Sequence, residues 1–146
     1  MHLLPIDVLL IEDNPFDADL TIRELKKHRY VSRILHLHDG ESGLQYLFPG
    51  WQTSNQLAEA IAQLPRLIML DIRMPKMSGI EVLEYIRNHP ATRDIPVVML
   101  TASSGDPDMQ ACRKLGVSSY IVKPVSAEGY AKAIKELGFE WMIVEK

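Results

Sequence analysis

Several runs of apolar residues in this chain show no polar alternation, and this pattern constrains the fold more than any other. Val8-Leu9-Leu10-Ile11, Leu67-Ile68-Met69-Leu70 and Pro96-Val97-Val98-Met99-Leu100 are apolar at every position. A strand with one face in water alternates apolar and polar residues; a strand that is apolar throughout has both faces covered. Each run is followed by a segment with helix-like features. Strands alternating with helices predict an α/β architecture, a parallel sheet with helices on both faces joined by right-handed crossovers.

The elements read as follows. The first strand, Val8 to Ile11, closes on Glu12-Asp13-Asn14-Pro15. A helix then runs from Phe16 to about His28, with Asn14 as N-cap, Pro15 at the first helical position, and Phe16, Leu20 and Leu25 as its inner stripe. Arg33 to His38 is a weaker strand, and Asp39 caps a short helix through Ser42, Leu44 and Leu47. The stretch 49–65 opens on Pro49-Gly50 and reads as a surface loop or a partner-specific element. Leu67 to Leu70 is a buried strand ending at Asp71. After a loop from Pro75 to Gly79, a helix from Ile80 to Asn88 turns Ile80, Leu83 and Ile86 inward. The strand from Pro96 to Leu100 ends at Thr101. Asp106-Pro107 opens a helix to Leu115, with Gly116 at its C-terminal cap. Ser119 to Val122 is a short strand ending at Lys123-Pro124, and Ser126 caps a last helix through Leu137.

The chain has 146 residues, the size of one domain, and 47% hydrophobic residues, enough for a real core. Its formal net charge of −3 argues against non-specific binding to nucleic acid or an anionic membrane. No apolar run approaches the ~20 residues of a transmembrane helix, and no signal peptide is visible. Cys112 is the only cysteine, which excludes a disulfide framework and a thiolate zinc site. The expected compartment is the cytoplasm.

Four of the five predicted strands end on a polar residue: Glu12-Asp13, Asp71, Thr101 and Lys123. In a parallel sheet these ends share one edge, where ligands of open α/β sheets bind. Clustered carboxylates repel and together ask for a cation. An all-oxygen donor set suits a hard ion, Mg²⁺ before zinc. A carboxylate can attack phosphorus to form an acyl phosphate. Lys123 is placed to pair with phosphoryl oxygens, and Thr101 to hydrogen-bond them.

Ile11-Glu12-Asp13-Asn14-Pro15, Leu70-Asp71-Ile72-Arg73-Met74-Pro75-Lys76-Met77-Ser78-Gly79, Thr101-Ala102 and Tyr120-Ile121-Val122-Lys123-Pro124, in this order, resemble the receiver domain of bacterial two-component response regulators. The resemblance runs from about Ile6 to about Leu137. It implies a flavodoxin-like (βα)5 three-layer sandwich with strand order 2-1-3-4-5. It also implies Asp71 as phosphoacceptor, fed by a phosphohistidine on a sensor kinase. Asp13 and Asp71 would bind Mg²⁺ directly, Glu12 through water, with the backbone carbonyl of Arg73 a further ligand. Lys123 would bridge to the phosphate, and its bond to Pro124 would be cis. Thr101 and Tyr120 would be the switch pair, repacking the surface of the fourth helix, fifth strand and fifth helix. The chain ends soon after the fifth helix, so residues 1–146 are expected to form one receiver domain with no DNA-binding or enzymatic output domain. The Phe139-Glu140-Trp141 tail and the segment before the third strand resemble single-domain regulators of bacterial phytochrome kinases, which often dimerise through the same surface, and this implies a homodimer as one partner of that surface.

Competing readings attach to several residues. A haloacid-dehalogenase-type phosphatase also places an Asp nucleophile after a strand, but sets an acid two residues on, where this chain has Arg73. A receiver-like docking module without phosphate chemistry is opposed by the intact set of Asp13, Asp71, Thr101 and Lys123. No Gly-rich turn follows the first strand, so dinucleotide binding is a poor fit. Arg73 either tunes water access to the phosphate or is simply solvated. Tyr120 is either a switch or a static packing residue. His36 and His38 lack a third ligand and read as packing or solvent-facing. Cys112 reads as a small core or groove residue. The apolar 141–144 cluster either packs back or makes a dimer contact.

Overall fold

A computed structural model describes residues 7–27, 33–48, 64–103, 105–117, 119–126, 128–129 and 132–133. The strands are β1 (Val8–Ile11), β2 (Ile34–Leu37), β3 (Leu67–Asp71), β4 (Val97–Thr101) and β5 (Ser119–Val122). The helices are α1 (Pro15–Lys26), α2 (Gly40–Leu47), α3 (Gly79–Asn88) and α4 (Met109–Lys114). All strand pairs are parallel, in the order β2-β1-β3-β4-β5. The expectations for 49–63 and for the tail beyond 133 fall outside the described residues.

The unbroken apolar runs have a direct structural cause. Successive side chains of a strand point to opposite faces. Val8 and Leu10, Leu67 and Met69, Val98 and Leu100 enter one apolar layer with Ala18 and Leu25 of α1 and with Ala133. Leu9 and Ile11, Ile68 and Leu70, Val97 and Met99 enter the other, with Leu47 of α2, Val82, Leu83 and Ile86 of α3, and Met109 and Cys112 of α4. The result is the three-layer sandwich that the resemblance implies. Cys112 is fully buried, as a small core residue should be.

Local chemistry starts the helices. Asn14 Oδ1 accepts from Phe16 N–H at 2.9 Å and Asp17 N–H at 3.1 Å, with Pro15 filling the first turn. Asp39 caps α2 through Ser42 N–H at 2.7 Å. Ser78 and Glu81 form a reciprocal capping box at α3. Gly116, with φ of 85°, follows α4 in the left-handed conformation that favours glycine. Ser126 Oγ accepts from Gly129 N–H at 3.0 Å at the start of the last helical segment.

The helices depart from expectation in several places. Phe16 is 80% exposed and Leu20 44%; α1 instead buries Ala18, Thr21, Glu24 and Leu25. At 100° per residue Phe16 and Leu25 stand on opposite sides of the helix, so they cannot share an inner stripe. In α3, Val82 joins Leu83 and Ile86 in the buried face, and Ile80 packs at its margin. α4 also starts later than Asp106-Pro107 suggests, because the Asp106 carboxylate accepts from Asp108 N–H at 2.9 Å and closes a turn there.

Candidate functional site

Register brings the polar strand ends together. Ile11 lies level with Leu70, Asp71 with Leu100, and Thr101 with Val122. Glu12 therefore stands beside Asp71, Thr101 follows one step further on, and Lys123 two steps. The ladder continues past the strands: Glu12 N–H donates to Leu37 O (3.1 Å), Ile72 N–H to Leu100 O (3.0 Å) and Lys123 N–H to Thr101 O (2.7 Å). Asp71 has the same facing as Leu67 and Met69, so it turns toward the α1 side. Gly79 N–H donates to Ile72 O at 2.7 Å, and a Cβ on Gly79 would collide with the Asp71 carbonyl oxygen. Only glycine lets the start of α3 approach the site so closely.

The charges are concentrated and nearly dry. Glu12 is fully buried and Asp71 3% exposed. Carboxylate oxygens of Glu12, Asp13 and Asp71 all lie within 4.8 Å of one another. Lys123 Nζ reaches Glu12 Oε1 at 3.1 Å, Asp71 Oδ2 at 3.2 Å and Asp17 Oδ2 at 3.1 Å. Asn14 N–H donates to Glu12 Oε2 at 3.2 Å, and Arg73 N–H to Asp71 Oδ1 at 3.3 Å. Burial, followed by the hydrogen bond and charge of Asp71, pushes the Glu12 carboxyl up to about 8. Burial works against the Lys123 ammonium, but Asp17, Asp71 and Glu12 outweigh it and hold its pKa above the ordinary lysine value. Among the described residues the Lys123 ammonium meets three carboxyl groups, with that of Asp13 close by, so the pocket is short of positive charge. Its donors are all oxygens, which fits a hard divalent cation.

Thr101 sits on the opposite facing, in line with Val97 and Met99. Its hydroxyl donates toward Ser103 O (3.0 Å) and Asp106 Oδ2 (3.2 Å). Tyr120, level with Met99, packs half-buried against that same layer. The Arg73 guanidinium turns to Asp106 (2.8 Å) and Asp108 (3.2 Å). The Lys123–Pro124 bond is cis. Thus Glu12, Asp13, Asp71 and Lys123 come together, while Thr101 and Arg73 engage the turn after β4. His36 Nε2 lies 2.9 Å from the Glu12 carbonyl oxygen, and its ring packs on His38. Sequence reasoning missed Asp17, whose first-turn position in α1 could have placed it near the strand ends. It also missed Asp106 and Asp108, which carried no motif.

A buried carboxylate at the end of β3, an ammonium beside it and two further carboxyl groups thus share the carboxyl edge of the sheet. The chain belongs to the response regulator receiver domain family, whose model matches residues 8–135. It is 37% identical over 139 residues to the probable methanogenesis regulatory protein FilR2 of Methanothrix harundinacea, covering 94% of this chain and 84% of that protein. The bacteriophytochrome response regulator AtBRR superposes with a TM-score of 0.76 at 36% identity, covering 94% of each chain. The Mn²⁺-bound form of response regulator Rcp1, a protein of Synechocystis, superposes at 0.70 and 31% identity, again covering 94% of each. Receiver domains are signalling switches phosphorylated by histidine kinases rather than enzymes acting on external substrates. Among the described residues no helix is long and apolar enough to cross a membrane.

Proposed function

We infer that this chain is a phosphorylation-dependent response regulator that accepts a phosphoryl group on Asp71 from a sensor histidine kinase of the phytochrome type. The observation that carries this reading is the Asp71 carboxylate, held by Lys123 at 3.2 Å inside the carboxylate cluster. In the transfer, the phosphohistidine N–P bond breaks and the nitrogen keeps its electron pair as an Asp71 oxygen bonds to phosphorus. Asp13, Asp71, the Arg73 carbonyl and, through water, Glu12 would hold Mg²⁺, which supplies neutralising charge for the phosphoryl oxygens. Lys123 steadies the same oxygens as a point charge. Thr101 then turns to the phosphoryl group, and Tyr120 follows into the space it leaves. The surface of α4, β5 and the last helical segment repacks and engages a second copy of the chain or a downstream protein. The phytochrome pairing draws on the likeness to AtBRR and Rcp1.

The test is incubation with a small acyl phosphate and Mg²⁺, scored as an acid-stable, base-labile adduct. Labelling is expected in the wild type and absent in Asp71→Asn or in EDTA. Labelling that survives Asp71→Asn, or none in the wild type, refutes the assignment. Chromatography with and without the donor reads the change in assembly, and transfer from a phosphorylated phytochrome kinase reads the pairing.

A further inference from the structure

Asp106 lies in the turn between β4 and α4, and three chain segments converge on its carboxylate. Oδ1 accepts from Arg73 Nη2 at 2.8 Å and from Asp108 N–H at 2.9 Å, and Oδ2 accepts from the Thr101 hydroxyl at 3.2 Å. The Asp106 side chain is 6% exposed, although it sits in a surface turn. Burial raises its pKa, but hydrogen bonds from Asp108 N–H, Arg73 and Thr101 outweigh that and hold it below the ordinary carboxylate value. It is therefore an anion at neutral pH, and hydrogen bonds to an ionised acceptor are about twice as strong as neutral ones. The Thr101 hydroxyl has one proton. Spent on Asp106 and the Ser103 carbonyl, that proton is not available at Asp71.

We propose that Asp106, anchored by Arg73, is a positioning residue that holds the Thr101 hydroxyl in its resting orientation and sets how readily a phosphoryl group captures it. The proposal rests on Asp71 being the phosphoacceptor. Arg73 already reaches Asp71 Oδ1 with its backbone N–H at 3.3 Å, so its guanidinium leaves the chain at the flank of the site. A phosphoryl group on Asp71 brings new negative oxygens there. They compete for the guanidinium and the hydroxyl together, both of which donate to Asp106. Without Asp106, the hydroxyl keeps, among the described residues, only the neutral Ser103 carbonyl as acceptor. Apparent affinity for a phosphoryl mimic scales with the fraction of molecules already in the competent orientation. Loosening the resting orientation therefore tightens binding.

The experiment titrates the full chain with beryllium fluoride at saturating Mg²⁺, following the Ser103 amide by ¹⁵N NMR. Asp106→Ala is expected to bind about 2- to 10-fold tighter than wild type, the worth of one hydrogen bond converted to population. Its unliganded Ser103 resonance should lie displaced toward the liganded position. Asp106→Asn keeps the side-chain volume and can still accept from Asp108 N–H, so the turn is preserved; a smaller change in the same direction is expected. In a Thr101→Ala background, Asp106→Ala should change nothing, because no hydroxyl remains to be held. Tightening that persists without Thr101 reports the removal of a charge and overturns the proposal. Unchanged or weaker binding by both Asp106 variants overturns it as well. A wild type that fails to bind the mimic removes the phosphoacceptor reading and this proposal together.

Discussion

At the residue scale, Glu12 departs far from ordinary behaviour. It is fully buried beside Asp71, and its carboxyl is pushed from 4.5 up to about 8. Between those pH values the metal-free folded chain holds a proton that the unfolded chain has lost. The unfolded state then binds fewer protons, so stability falls as pH rises through this window and levels off above about 8. Thermal unfolding in EDTA from pH 5 to 8.5 should show that decline, worth a few kcal/mol at most. Glu12→Gln, which cannot ionise, should flatten it. Equal slopes in the two proteins would show that some other group titrates. Glu12 was legible in the sequence because it ends an apolar run. Asp17 was not: its pairing with Lys123 at 3.1 Å joins residues over a hundred positions apart. Spacing along a chain says little about such a contact.

At the element scale, the strands were easy to read and the helix faces were not. A strand apolar on both sides needs no angular information, so β1, β3 and β4 declare themselves. A helix face depends on angle, and counting apolar residues in α1 put exposed Phe16 in the core. The start of α4 was misplaced because Asp106-Pro107 has the composition of a helix start, while the Asp106 side chain serves Arg73 and Thr101 instead. Arg87 shows how one side chain can lock elements together. From the end of α3, its Nε donates to Leu115 O after α4 (2.7 Å), and Nη1 donates to Arg93 O (3.0 Å) and Ile95 O (2.8 Å) before β4. Arg87→Met keeps the aliphatic stem and removes every one of these donors. It should cost about 2–4 kcal/mol, since hydrogen bonds from a charged donor contribute roughly 1.5–3 kcal/mol each and do not add fully. Urea unfolding checks it. A loss under about 0.5 kcal/mol, typical of a surface substitution, would mean the carbonyls find water instead.

At the scale of the whole molecule, the alternation of strands and helices specified a parallel sheet but not its order. The 2-1-3-4-5 arrangement depends on which way each crossover travels, and no local pattern records that; here it came from resemblance alone. The order matters because it sets β1, β3 and β5 close enough for Glu12, Asp71 and Lys123 to meet. A divalent ion held at that edge binds the folded chain and not the unfolded one, in which the carboxylates are far apart. At 100 times its Kd, such a ligand stabilises by about 2.7 kcal/mol. For a domain of this size that corresponds to a rise in Tm of roughly 5–15 °C. Mg²⁺ should produce the rise, and NaCl at matched ionic strength should not. Binding also requires Glu12 to ionise beside the cation, so the gain should be larger at pH 8.5 than at pH 6.5. Asp13→Asn tests the placement: it relieves repulsion in the metal-free chain and removes a ligand, so its metal-free Tm should rise while the Mg²⁺ increment shrinks. If Asp13→Asn and wild type gain equally from Mg²⁺, the ion binds somewhere other than the edge where the strands end.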